Sequence, residues 1–90
     1  DTEGYKMELR FLRDVYKREI DFVVMKDRKP IFAVECKTGE KQLSEHIRYF
    51  QARTDIPMFY QVHLGEKHYS PQNGIEVLPF IEFSRLLCLP

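Results

Sequence analysis

The feature that most constrains this chain is a pair of apolar strands with acids inside them, Glu19-Ile-Asp-Phe-Val-Val-Met25 and Ile31-Phe-Ala-Val-Glu-Cys-Lys37. A carboxylate in an apolar strand is costly unless it has a partner or a cation. Side chains alternate along a strand, so Glu19, Asp21, Val23 and Met25 share one face, and Ile20, Phe22 and Val24 share the other. On the second strand Ile31, Ala33, Glu35 and Lys37 share a face. Opposed residues of an antiparallel pair point the same way, and a one-residue slip exchanges the faces. A two-residue turn at Asp27-Arg28 would set Asp21 opposite Val34, whereas a three-residue turn, Asp27-Arg28-Lys29, sets Asp21 opposite Glu35. The three-residue turn is the expectation, with Pro30 at the first position of the second strand.

The remaining elements follow from periodicity. Met7 to Arg13 alternates and predicts a half-buried strand, joined by a turn at Asp14-Val15-Tyr16-Lys17 to complete a three-strand antiparallel meander. Ser44 is a good N-cap and Glu45 suits the first turn, so 45–53 predicts an amphipathic helix with Ile47, Phe50 and Leu43 inward. Met58 to Leu64 is apolar at both parities, which predicts a strand covered on both faces and paired parallel to a neighbour. Tyr69 to Gly74 reads as a loop and Ile75 to Leu78 as a short strand. Pro79 suits the first turn of a helix from Phe80 to Leu87, with Ile81, Phe83 or Ser84, and Leu87 inward. The fold class is therefore mixed α/β, and 90 residues make a single domain, 1–90. Phe50, Phe59, Tyr60, Phe80 and Phe83 are expected in the core.

Formal net charge is zero, which makes no case for nucleic acid from the whole chain. Through Arg53 there are twelve basic and ten acidic residues, against two and four after it, a weak asymmetry. Arg10, Arg13, Lys17 and Arg18 cluster at the first turn, where a charged turn is the commoner explanation than a phosphate contact. Lys26, Arg28 and Lys29 read as solubility charges, and Lys41 and Gln42 as a solvated loop. Cys36 and Cys88 are far apart and are expected as buried thiols. His46, His63 and His68 have no metal-ligand spacing with either cysteine, so zinc is not expected. There is no signal peptide and no membrane-spanning run, which predicts a cytoplasmic protein without membrane contact. The chain begins Asp1-Thr2-Glu3-Gly4 with no initiator methionine and is expected to be a piece of a longer protein.

Two opposed carboxylates repel unless a cation sits between them, and Mg²⁺ (or Mn²⁺) takes one or two carboxylates while keeping several waters. The Cys36 backbone carbonyl is a further candidate ligand, and Lys37 points at the same site. An amine beside a metal-bound water can orient that water or stabilise charge on a phosphoryl oxygen.

Asp21, thirteen residues, then Glu35-x-Lys37 at the end of the next strand resembles the PD-(D/E)xK nuclease superfamily, the restriction-endonuclease-like fold. Glu19-Ile-Asp-Phe-Val-Val with Ala33-Val-Glu-Cys-Lys looks more specifically like the C-terminal module of prokaryotic AAA-type ATPases, where a nuclease-like domain follows an ATP-binding domain. The resemblance implies a restriction-endonuclease-like core, with Asp21 and Glu35 as metal ligands and Lys37 as the catalytic lysine. It also implies metal-dependent phosphodiester hydrolysis in DNA, accessory to an ATPase. The alternative is a catalytically inactive module that binds DNA or a protein partner, or oligomerises. Residue 20 is Ile where the motif's name has Pro, and no helix precedes the first strand. Glu8 and Glu19 are the candidates to replace the acid such a helix supplies, and the uncovered face points to a partner, a homo-oligomer or an exchanged element. No Walker motif occurs, so ATP binding is not expected of this chain.

Overall fold

A computed structural model describes residues 7–13, 19–39 and 42–87, with side chains from residue 20 onward. Among them the strands are β1 (Met7–Arg13), β2 (Glu19–Lys26), β3 (Lys29–Cys36), β4 (Phe59–His63), β5 (Tyr69–Gln72) and β6 (Ile75–Pro79). The helices are α1 (Glu45–Arg53), between β3 and β4, and α2 (Phe80–Leu86), after β6. One mixed sheet has the order β1-β2-β3-β4-β6-β5. β1, β2 and β3 form the expected antiparallel meander, and β3, β4 and β6 run parallel. Helix α1 is the crossover that two adjacent parallel strands require. The expected turn at 14–17, the side chains of Glu8, Arg10, Arg13, Lys17 and Glu19, and Lys41 and Cys88 lie outside the described residues.

The two sheet faces carry separate cores. On one, Ile20, Val23, Ala33, Phe59 and Ile75 pack against Ile47, Phe50 and Ile56, with Leu43 and Met25 at the margin. On the other, Val34, Val62 and Leu78 pack against Phe83, with Phe22, Phe32, Tyr60 and Leu87 part-buried around them. Phe32, Tyr60 and Phe83 meet there as rings 5.2 to 6.2 Å apart, two of the three contacts edge-on. The apolar strand β4 is covered on both faces, as its composition requires.

Helix α1 starts where its cap places it. The Ser44 hydroxyl accepts a hydrogen bond from the His46 N–H at 3.0 Å, and Ile47 and Phe50 are its buried residues. His46 is only partly covered. At the other end the Arg53 guanidinium lies over the Tyr49 ring, 4.0 Å from its centroid.

The hairpin turn differs from expectation. Lys26 pairs with Lys29, so the turn is the two residues Asp27 and Arg28, at φ 52° and 69°. Two left-handed residues make the turn whose twist suits a hairpin. The register then shifts between Val24↔Phe32 and Met25↔Pro30, because β3 carries one extra residue, Ile31. That bulge restores the parity that a three-residue turn was expected to supply. Arg28 pays a steric cost at positive φ that glycine does not. Arg28→Gly is expected to stabilise the domain by about 1 kcal/mol, read as a higher urea midpoint at unchanged slope.

Three other expectations are corrected. Residues 69–72 are a strand rather than a loop, because β5 pairs antiparallel with β6 around a turn at Asn73-Gly74. Gly74 takes φ +83°, and its carbonyl accepts from the Phe59 N–H at 2.7 Å. Gln51 of α1 donates to the Asn73 carbonyl at 2.8 Å and accepts from Gln72, which ties this turn to the helix. Phe80 and Ile81 of α2 are solvent-facing at 55% and 63% exposure, so Phe83 alone of that helix is buried. A seven-residue helix turns only one narrow stripe to the sheet. Cys36 is exposed rather than buried, because it sits at the last position of β3, where the strand leaves the core.

Candidate functional site

The site lies where the β2–β3 ladder ends. The β2–β3 register is paired through Val23↔Ala33 and Phe22↔Val34, so Asp21 and Glu35 each lie one residue beyond its last pair. The ladder stops at Phe22, because β2 carries a bulge there against β1. Two steps on β1, Arg10 to Leu12, face three on β2, Val23 to Ile20. The bulge turns Ile20 into the α1-side core beside Val23, not onto the face of Phe22 and Val24. It also frees Asp21 to use its side chain where the ladder would have used backbone. Asp21 Oδ2 accepts a hydrogen bond from the Cys36 N–H at 2.7 Å.

Glu35 shares a face with the α1-side core and is only 5% exposed. Lys37 continues the parallel ladder, its N–H donating to the Val62 carbonyl at 2.8 Å. Its ammonium pairs with Glu35 Oε2 at 2.7 Å, while its own side chain is about a third exposed. The other oxygen, Glu35 Oε1, is buried and has no hydrogen-bond partner among the described residues. A buried carboxylate oxygen with no donor is the costliest kind of orphan. The Cys36 thiol has its pKa raised, first by partial burial of the sulfur and then by the Asp21 and Glu35 carboxylates. Both acids therefore act on one spot. The structure joins Asp21 to the Cys36 backbone by a hydrogen bond and Lys37 to Glu35 by an ion pair.

The donor set fits a hard divalent cation. The buried Glu35 Oε1 is a carboxylate oxygen with no hydrogen-bond partner among the described residues, and a second carboxylate, on Asp21, accepts from the Cys36 N–H beside it. Among the described residues no group of three or more His, Cys, Asp and Glu side chains could hold a metal. The cation would rest on two carboxylates and a backbone carbonyl, with water completing its shell.

Sequence reasoning missed Gln61. It is the Cα partner of Glu35 on β4 and is fully buried. Its Oε1 accepts from the Ser44 N–H at 2.8 Å and its Nε2 donates to the Gln42 carbonyl at 3.1 Å. Gln61 thus clamps the segment that runs from the site strand into α1. The available signal was a glutamine inside a strand apolar at both parities, since a buried amide must find partners. His63 is likewise structural. Its Nδ1 accepts from the Gly65 N–H at 2.9 Å and its Nε2 donates to the Lys67 carbonyl at 2.8 Å, so the ring winds the turn after β4 around itself.

A family model described as a domain of unknown function, DUF4143, matches residues 1–83. The chain belongs to the DUF4143 family. No curated protein and no solved structure matches it. In this DUF4143 domain the match spans the whole sheet and the first turn of α2, so the acid hairpin, Gln61 and the crossover helix all lie within it. Among the described residues no helix is long and apolar enough to cross a membrane.

Proposed function

We propose that this DUF4143 domain is a divalent-cation-dependent nuclease-like module with a restriction-endonuclease-like core, acting on phosphodiesters in DNA. The observation that carries the reading is the buried, unpartnered Glu35 Oε1 beside Lys37, with the Asp21 carboxylate held on the Cys36 N–H between them in sequence. Asp21, Glu35 and the Cys36 carbonyl would hold Mg²⁺ or Mn²⁺. When bound, such a cation lowers the pKa of its water and offsets charge on the phosphate. Lys37 is placed by its bond to Glu35, and its ammonium orients an attacking water or stabilises a phosphoryl oxygen. The Asp21 hydrogen bond to Cys36 fixes the end of β3, so that the two acids and the lysine keep their spacing. The resemblance to the C-terminal module of prokaryotic AAA-type ATPases makes an ATPase of the same protein the expected partner.

One observation favours a second reading, a silent module that binds DNA or a protein. Asp21 and Lys37 are each engaged within the chain, on Cys36 N–H and Glu35. Incubation of supercoiled and branched DNA with the protein separates the two. Cleavage that requires Mg²⁺ or Mn²⁺ and stops with chelator supports the nuclease. Binding without cleavage in either metal supports the silent module.

A further inference from the structure

His68 stands at the entry to β5, outside the strand that carries Glu35. Its Nδ1 hydrogen-bonds a carboxylate oxygen of Glu82 in α2, and its Nε2 lies 3.2 Å from a carboxylate oxygen of Glu76 in β6. An ionised carboxylate only accepts, and a neutral imidazole has a single N–H. Both contacts can be hydrogen bonds together only when the ring is an imidazolium.

The contact joins a helix that little else holds. Phe83 is the buried residue of α2, Leu87 is part-buried after it, and no side chain caps the helix at Pro79. Phe80, Ile81 and Leu86 are exposed. Glu82 lies in the first turn and Arg85 in the last, and Arg85 lines the same open groove as His68, Glu76 and Glu82. From the sheet, Tyr60 of β4 also feels the Glu76 charge.

We propose that His68 is a proton-operated clasp that, as an imidazolium between Glu76 and Glu82, holds α2 on the sheet and lets it loosen when the proton leaves. A neutral ring must turn a lone pair toward one of the two carboxylates, which converts an attraction into a repulsion. Release of α2 uncovers the Phe32, Tyr60, Val62 and Leu78 surface that Phe83 covers. The fold raises the His68 pKa above its ordinary value of 6.5, first through the Glu82 hydrogen bond and then through that to Glu76. A raised folded-state pKa means that the clasp's contribution is whole below the unfolded value. It is lost as pH rises through the folded value. The ring is solvent-accessible, so salt weakens the clasp.

Ring ¹⁵N shifts of the histidines, followed by NMR against pH, test this together with amide exchange in α2. The expected result is a His68 midpoint above 6.5, with the Val62 and Leu78 methyl signals and the protection of α2 amides changing at that same midpoint. Glu82→Gln is expected to lower the midpoint. His68→Gln is expected to give α2, at neutral pH, the faster exchange that the wild type reaches only above the midpoint. A His68 midpoint at or below 6.5 overturns the proposal. So does α2 protection that ignores the His68 titration or is unchanged in His68→Gln.

Discussion

Gln61→Leu is expected to cost about 3 kcal/mol of folding stability, although leucine is apolar, of similar size and suited to a fully buried site. The loss comes from what is left behind. Without the amide, the Ser44 N–H and the Gln42 carbonyl lose partners at 2.8 and 3.1 Å. Each part-buried group stranded in this way costs on the order of 1–3 kcal/mol. The damage also spreads, because Ser44 is the N-cap of α1 and the same segment descends from the site strand. Urea unfolding measures it. A loss below about 1 kcal/mol would mean that water reaches both backbone groups, and Gln61 would not be the clamp.

The second large effect concerns Lys37. Removing a general acid–base or charge-stabilising group lowers a rate by about 10²–10⁴-fold, so Lys37→Ala is expected to cut cation-dependent DNA cleavage by at least about 10²-fold. The alanine variant also strips Glu35 of its described cationic partner, so stability falls as well, moderated by the lysine's exposure. Lys37→Gln separates the two effects. Its amide can still donate to Glu35 Oε2 and hold the strand end, while the charge is gone. Cleavage is expected to be lost in both variants and stability to be largely kept in the glutamine one. Cleavage at the wild-type rate in Lys37→Gln would remove the lysine from the chemistry.

Much of this site was legible because parity is a strong constraint. Burial of Ala33 and Val23 on one face fixes the register of the hairpin, whichever device sets it, although the β2 bulge interrupts the alternation around Asp21. The device itself was not legible. Turn length was expected to supply the odd residue, and a bulge at Ile31 supplies it, because backbone twist favours the two-residue left-handed turn even with Arg28 in it. Bulges leave little trace in composition, so the turn of Ile20 toward α1 was also hidden. Helix α1 was readable from Ser44 and the Ile47–Phe50 spacing, both local signals. Strand β5 was not, since Tyr69, Ser70, Pro71 and Gln72 are all exposed and only pairing with β6 makes them a strand. Phe80 and Ile81 face solvent because a helix this short hides one residue in a turn, a geometric fact that hydrophobicity alone overrules wrongly.

The central claim is that Asp21 and Glu35 hold a divalent cation, and Mn²⁺ titration of the ¹⁵N-labelled protein tests it most directly. Paramagnetic broadening is expected to saturate and to centre on the amides of Asp21, Glu35, Cys36 and Lys37, with Mg²⁺ competing it away and Glu35→Gln abolishing it. Broadening that is diffuse, does not saturate, or survives unchanged in Glu35→Gln would contradict the account.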